Sequence, residues 1–389
     1  MRFKNNLGFS GTLEHTWDDK FAVTGAKIGD TLRLRDPVRF AVTTNPDITS
    51  SLQDVIETQK TLTLNTQAVV AFQFSSAELT LSIDAFSERY LKSAGVALAN
   101  KVDVDMLTMA YQATANTVGT PGTPITALDP FWAAGATLDE NSTPMDGERY
   151  MCISPRQQEG VLKAAQGLFQ SSTQVKQQYE RGRMGIMGGF TWLMDQNVRT
   201  HQVGALGGTP AVGAAGQTGA TLATTGWTAS GPRLKKGDTF TLPTVYGANP
   251  VSGDLNSTLQ KFTVTADVSS DGAGAASIPI SPPIITSGAT KTVSNSPAGG
   301  ALLTITSGAA SSLSPQGMGY HKAAFVLGMA PLEVPGGMHY AASQQDPDTG
   351  VSVRCISQYN ILTDKFVTRC DCLYGGTAQR PEWAVRVAS

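Results

Sequence analysis

The residues able to do chemistry are few and scattered. Four histidines, His15, His201, His321 and His339, are spread along 389 residues. An imidazole is the usual general base near neutral pH, but it needs a partner within hydrogen-bond reach. No motif supplies one, since G-x-x-x-x-G-K-[ST], H-E-x-x-H and G-x-S-x-G are all absent. The stretch from Gly272 to Ser277 approaches a dinucleotide fingerprint but ends in Ser. It also sits between strand signals, without the helix whose N-terminus would take a phosphate. Asp103 and Asp105 are too close along a helix to face each other. Asp346 and Asp348, in QQDPDTG, make a turn short of the oxygen ligands a hard cation needs. The cysteines are Cys152, Cys355, Cys370 and Cys372. Cys370 and Cys372 point to the same face of a strand, which makes them poor disulfide partners for each other. With no C-x-x-C and no nearby His, zinc is not expected, and reduced structural thiols are. No enzyme chemistry, cofactor or metal is therefore expected.

The bulk composition narrows the partners. Charged residues are 15% of the chain, against a typical ~25%. The formal net charge is −2, so nothing argues for avid binding to nucleic acid or to a membrane surface. The start, MRFKNNLGFSG, lacks the apolar core of a signal peptide, and no apolar run approaches a membrane span. A soluble protein made in the cytoplasm is the expectation.

What must position any site is a mixed set of elements. The phrase AKIGDTLRLRDPVRF (26 to 40) is echoed by LKKGDTFTLP (234 to 243). In each, Gly supplies turn freedom, and Asp30 or Asp238 bonds back to nearby backbone N–H groups. An alternating run follows, so each GDT marks the start of a strand rather than a repeat. TLTLNTQAVVAFQF (61 to 74) also alternates and forms a long two-stranded excursion with TLRLRDPVRFAV. A proline-free segment over 84 to 115 predicts a long helix capped by Asp84, with Leu91, Leu98, Val102, Met106 and Met109 on one stripe. A shorter helix is expected near 130 to 139. Ser154-Pro155-Arg156-Gln157 carries the signature of a capping box ahead of Val161, Leu162, Ala165, Leu168 and Phe169.

Residues 204 to 231, rich in Gly, Ala and Thr, read as a loop or linker, and so does AASSLSPQGMG (309 to 319). From 232 to 306 short strand signals suggest a small barrel or sandwich, with Trp227, Phe240, Tyr246 and Phe262 spaced as core residues. Further strands are expected at 351 to 362, 365 to 374 and 382 to 388. The organisation is α+β, interrupted by a β module.

An extended arm needs something to rest on, and a neighbouring subunit is the natural support. Arg33, Arg35 and Arg39, with Lys60 nearby, have two readings. They form a solvated strand face, or they make intersubunit salt bridges or phosphate contacts. Leu62, Leu64, Val70 and Phe72 are the apolar positions expected to be buried against an adjacent subunit.

The phrases FAVTGAKIGDTLRLRDPVRF, FSSAELTLSIDAFSERY, GFTWLMDQNVRTHQVG, ISPPIITSG, HKAAFVLGMAPLEVPGG and ISQYNILTDKFVTRCDCLYG, in this order, carry a resemblance. The chain resembles the major coat proteins of tailed double-stranded DNA bacteriophages, in the podovirus-type group with an inserted β domain. That resemblance implies the tailed-phage major capsid protein fold, α+β, shared with herpesvirus shells. It assigns an N-terminal arm to 1–23, an extended loop to 24–75, and a peripheral domain to 76–144 with a spine helix over 84–115. An axial domain takes 145–225 as its first part, the inserted β-barrel takes 226–315, and 316–389 gives the second part of the axial domain and the return strands of the peripheral domain. Relatives carry a longer helical stretch ahead of the part aligning with NNLGF, so a shortened arm is expected. The implied function is self-assembly into an icosahedral shell of pentamers and hexamers around double-stranded DNA, in the host cytoplasm. The implied partners are scaffolding protein, portal and decoration protein, with no membrane. Two other roles fit the same elements: a non-viral compartment shell, or a β-domain that grips a receptor or carbohydrate.

Overall fold

The computed structural model of the chain describes residues 7–15, 31–36, 38–40, 52, 59–75, 90–165, 185–345 and 351–389. The Gly29-Asp30 turn, the Asp84 cap, Leu168, Phe169 and the Asp346/Asp348 turn lie outside the described residues. The chain divides into two compact units. One comprises Met1–Arg35, Gln59–Met109 and Phe325–Gln379, and the other Asp36–Thr58, Ala110–Ala324 and Arg380–Ser389.

The first unit is organised on the strand Lys365–Ala378. Thr66–Ser75 pairs along one edge of it. Ser352–Asn360 and Phe325–Ala330 share the other edge, and Tyr340–Gln345 extends the sheet beyond Ser352–Asn360. Side-chain alternation sends Thr368, Cys370, Cys372 and Tyr374 to one face, and Val367, Arg369 and Asp371 to the other. Two glycines near its end are dictated by close approach. A Cβ at Gly376 would lie 2.4 Å from Met106 Cε, and one at Gly375 would lie 1.9 Å from Thr63 O. Side chains there would push away the helix on one face or the strand Gln59–Thr63 on the other.

That helix, α1 (Lys92–Ala113), is the long helix expected from the sequence. Leu98, Val102 and Met106 are buried on its stripe, while Leu91 and Met109 are half-buried. Gly95 has open space around it, so it leaves the helix undisturbed. The two acidic residues diverge as their spacing demands. Asp103 is buried and accepts the Gly8 and Ser10 N–H groups at 2.8 and 2.9 Å. Asp105 accepts the Tyr374 hydroxyl at 2.6 Å.

The second unit contains a seven-stranded sheet. Its order is Thr117–Gly119, Ala384–Ala388, Leu313–His321, Arg149–Ile153, Phe190–Met194, Ile186–Met187, and Thr200–Gln202 pairs with the start of Leu313–His321. Helix α2 (Asp129–Glu140) buries Phe131, Ala134 and Leu138 in a core with Met151, Ile153, Phe190, Trp192, Val385 and Val387. Helix α3 (Pro155–Ala165) begins with the expected capping box. Gln157 N–H donates to Ser154 Oγ at 3.2 Å, and Ser154 N–H donates to Gln157 Oε1 at 3.1 Å.

Two linker readings are corrected. AASSLSPQGMG contains most of the strand Leu313–His321, at the centre of the seven-stranded sheet. Its polar, Gly-rich character reflects crowding, because Ser314, Gln316 and Met318 are all buried and a Cβ at Gly317 would meet Gln157 Oε1 at 2.7 Å. Likewise the stretch 204 to 231 holds the strands Gly208–Val212 and Gly219–Trp227. Val212, Leu222 and Trp227 are buried in the core of the β module. Gly226, at φ +84°, sits where the register shifts between Thr225 and Trp227, so its glycine serves a bulge rather than a loop. The module therefore runs over Gly208–Ile305, not 226 to 315.

The module closes on itself. Its strands follow the order Thr304–Ile305, Thr239–Ala248, Leu255–Val264, Ala276–Ile284, Gly219–Trp227, Gly208–Val212. Leu303 N–H then donates to Pro210 O and Val212 N–H to Ala301 O, joining the last strand to the first. Closure leaves no long unpaired edge. Trp227, Phe240 and Phe262 fill the interior as expected, whereas Tyr246 stands 40% exposed on the outside.

The second GDT ties this barrel down. Asp238 is fully buried, and its carboxylate accepts Lys235 N–H (2.7 Å), Gly204 N–H (3.1 Å), Ser307 Oγ–H (3.1 Å) and His201 Nε2 (2.8 Å). Residues 201 and 204 lead into the barrel, and 307 leads out of it. The buried Arg386 guanidinium donates from Nη1 to Gly237 O at 2.7 Å, adding the last strand of the main sheet to the same knot. Burial lowers the Arg386 pKa to about 10, which still leaves it charged at neutral pH. Asp238→Ala would strand several buried donors at once. It should cost on the order of 3 kcal/mol in urea denaturation followed by Trp fluorescence. Unchanged stability would show that the knot is not holding the module.

Candidate assembly surfaces

The strand Thr31–Arg35 pairs antiparallel with Gln59–Thr63, forming the two-stranded excursion read from the sequence. Its alternation is as expected: Leu32 and Leu34 are buried, and Arg33 and Arg35 are exposed. The apolar side, however, is turned into the protein itself. Leu32, Leu34, Leu62 and Val326 form one buried cluster. Leu64 is also buried, beside Gly328. Leu62 and Leu64 thus contribute to the fold of their own subunit and offer no free apolar surface.

The remaining residues singled out by sequence do not converge. Lys60 lies opposite Leu34 and donates its ammonium protons to Ala378 O and Gln379 O, at the end of the long strand. Arg39 makes an exposed ion pair with Glu382 at 3.0 Å. Val70 and Phe72 are half-buried, with the Phe72 ring 5.6 Å from Phe74 and 6.3 Å from Tyr90.

Three of the histidines singled out by sequence find structural partners. His201 belongs to the Asp238 knot, and His339 packs 5.7 Å from the Phe366 ring. His321 lies with Asp146 and Glu148 in a group of the right composition for a metal. The hydrogen bonds argue otherwise. Ala323 N–H donates to His321 Nδ1 at 3.2 Å, so the proton sits on Nε2 and is donated to Asp146 at 3.0 Å. A metal would need that Nε2 lone pair free. Lys322 lies 3.6 Å from Glu148, which further neutralises the group.

A surface that sequence reasoning passed over is the tip of the hairpin joining Ser352–Asn360 to Lys365–Ala378. Ile361 is 83% exposed and Leu362 is 93% exposed. The tip is firmly built. Leu362 N–H donates to Asn360 Oδ1 at 3.0 Å, and the Tyr359 hydroxyl donates to Asp364 Oδ1 at 2.8 Å. Asp364 takes φ +50°, a conformation Asp tolerates better than most residues. In NILTD, an apolar pair stands between two turn formers, and that is the signal available in the sequence.

The base of the hairpin is clamped by Asp371, which is fully buried. Arg354 grips its carboxylate with two bonds, Nε to Oδ1 at 3.0 Å and Nη2 to Oδ2 at 2.7 Å. Arg369 Nε (2.9 Å) and Gln67 Nε2 (2.8 Å) complete the cluster, which spans three strands. Burial pushes the Asp371 carboxyl up, but Arg354, and then Gln67 and Arg369, outweigh it and hold it below the ordinary value.

The comparisons with known proteins bear on what these surfaces are for. The family model described as "P22 coat protein - gene protein 5" matches residues 22–387. Among solved structures, one from Mycobacterium phage Che8 is 12% identical, with 97% of this chain and 90% of that chain covered and a TM-score of 0.49. The capsid of Ralstonia phage GP4 is 8% identical, with coverage of 93% and 83% and a TM-score of 0.46. The mature capsid of bacteriophage PhiM1 is 11% identical, with coverage of 92% and 82% and a TM-score of 0.43. A search of curated proteins gives no match. The class defined by the family match is the major capsid protein of a tailed bacteriophage, a homo-oligomeric component of the virion shell. Within that class, the chain belongs to the P22 coat protein family.

The Asp371 clamp gives a pH signature. A carboxyl with a lowered folded pKa contributes stability above its unfolded value of about 3.9, and loses it as pH falls through the folded value. Urea denaturation at about pH 7 and about pH 3 should therefore show a smaller acid loss for Asp371→Asn than for the wild type. Equal losses would mean that other carboxylates govern the acid limb.

Proposed function

We propose that the hairpin tip at Tyr359–Asp364 is a principal contact through which one coat subunit engages the next. The observation that carries this reading is the pair Ile361 and Leu362, almost fully exposed on a tip held in one shape. Burying each such side chain contributes about 1.5–3 kcal/mol. A closed lattice repeats the same contact at every subunit, so a modest gain per copy becomes decisive. Arg33 and Arg35, on the exposed face of the Thr31–Arg35 strand, lie toward the Ala378 end of the long strand, away from the tip, and add charge contacts to a neighbouring subunit at a separate surface.

In this reading the excursion through Thr31–Arg35 and Gln59–Thr63 belongs to the extended loop. Helix α1 is the spine, the seven-stranded sheet is the axial domain, and the barrel is the inserted domain. The subunits form pentamers and hexamers of an icosahedral shell assembled in the host cytoplasm. Double-stranded DNA lies against the inner face without tight binding, in keeping with a net charge of −2. Scaffolding protein, portal and decoration protein are the other partners. The protein acts as shell material and not as an enzyme.

The test is the double variant Ile361→Asp/Leu362→Asp. It should remain folded, with unchanged circular dichroism, and should fail to form shells by size-exclusion chromatography and negative-stain electron microscopy. Shells at normal yield would sink the role of the tip.

A further inference from the structure

Cys355 and Cys370 are far apart in sequence spacing terms and near neighbours in the sheet. The strands Ser352–Asn360 and Lys365–Ala378 pair antiparallel, and Cys355 stands directly opposite Cys370 in their register. Directly opposed residues in such a ladder have Cα atoms about 4.5 or 5.5 Å apart, depending on the pair type, and both values fall within the disulfide range. The two thiols lie within hydrogen-bonding reach of each other. All four cysteines are free thiols.

We propose that Cys355 and Cys370 form a redox site that closes to a cross-strand disulfide when the protein meets an oxidising environment. A coat protein is made among reducing thiols and then leaves the cell as part of a particle, so one chain experiences both conditions. The proposed oxidant is a low-molecular-weight disulfide. The Cys355 thiolate attacks one sulfur of that disulfide and expels the other half as a thiol, leaving a mixed disulfide on Cys355. Cys370 then loses its proton and attacks Cys355 Sγ, expelling the second half as a thiol. Two protein thiols are oxidised, one external disulfide is reduced, and the atoms balance.

The roles of the two sulfurs follow from their surroundings. Cys355 is half-buried and within reach of a small molecule, whereas Cys370 is 2% exposed. The interaction between the two thiols lowers the pKa of Cys355 and raises that of Cys370, so the more accessible sulfur is also the readier nucleophile. Cys372 is excluded as a competitor. It is buried, its pKa is pushed up to about 12 chiefly by that burial, and it lies beside Cys370 on the same strand rather than across from it. The bond would fasten the two strands that carry the exposed Ile361–Leu362 tip, between that tip and the Asp371 clamp.

The experiment treats purified full-length protein with oxidised glutathione at neutral pH, followed by alkylation and peptide mapping by mass spectrometry. The expected result is one intrachain bond between Cys355 and Cys370, with Cys152 and Cys372 alkylated, reversed by dithiothreitol. Cys372→Ser should leave the reaction unchanged, and Cys355→Ser should abolish it. Hydrogen exchange of strand amides between Cys355 and Cys370 should slow on oxidation. Retention of four free thiols in the wild type, a bond that includes Cys372, or an interchain bond would each overturn the proposal. Unchanged exchange in the oxidised form would overturn the fastening role.

Discussion

A barrel can be spliced into a sheet only if its incoming and outgoing segments lie side by side, and Asp238 meets that constraint. A carboxylate removed from water must have its oxygen lone pairs occupied, or it takes up a proton. Here the donors come from the segment leading in, the turn before the strand Thr239–Ala248, and the segment leading out. Satisfying one buried charge therefore fixes the neck of the barrel. Arg386, bonded to the neighbouring Gly237 carbonyl, connects that neck to the strand Ala384–Ala388 of the main sheet. The barrel interior is filled mainly by apolar side chains, with buried Thr224 bridging Trp227 Nε1–H and Ala276 O.

The first unit solves a different problem with similar means. Its central strand is covered on both faces near Gly375 and Gly376, where side chains are excluded by Thr63 and by Met106. Farther along, the same strand carries Asp371, whose two guanidinium partners and one amide draw together three strands. The free end of the hairpin is thereby given a rigid base. Rigidity matters for a repeated contact, because ordering a loose loop on association costs conformational entropy in every copy. The apolar tip beyond that base is locally ordered by its own turn residues.

This arrangement explains why the apolar residues of the excursion and of the hairpin tip have different destinies. Leu62 and Leu64 alternate with polar neighbours, as any strand packed on its own core does. Alternation says that one face is buried, and it is silent on whether the covering surface belongs to the same subunit or another. Ile361 and Leu362 break the rule that turns are polar. An apolar pair in a turn has no intrachain core within reach, so its exposure is a stronger indication of a contact between subunits.

The sequence by itself determined the local chemistry. It gave the α1 stripe, the capping box at Ser154 and Gln157, the strand starts at the two GDT phrases, and the run of short strands that closes as a barrel. The family was also legible in it, because a series of modest phrases in a fixed order carries more information than any single one. Tertiary structure alone decided which strands become neighbours. It placed Cys355 opposite Cys370, set Gly317 against Gln157, and turned two Gly-rich stretches from linkers into core strands. It also moved Leu62 and Leu64 from the subunit surface to the interior. The physical reason is common to all of these. Periodicity and turn propensity act over a few residues, whereas register, burial and charge pairing depend on segments brought together from distant parts of the chain.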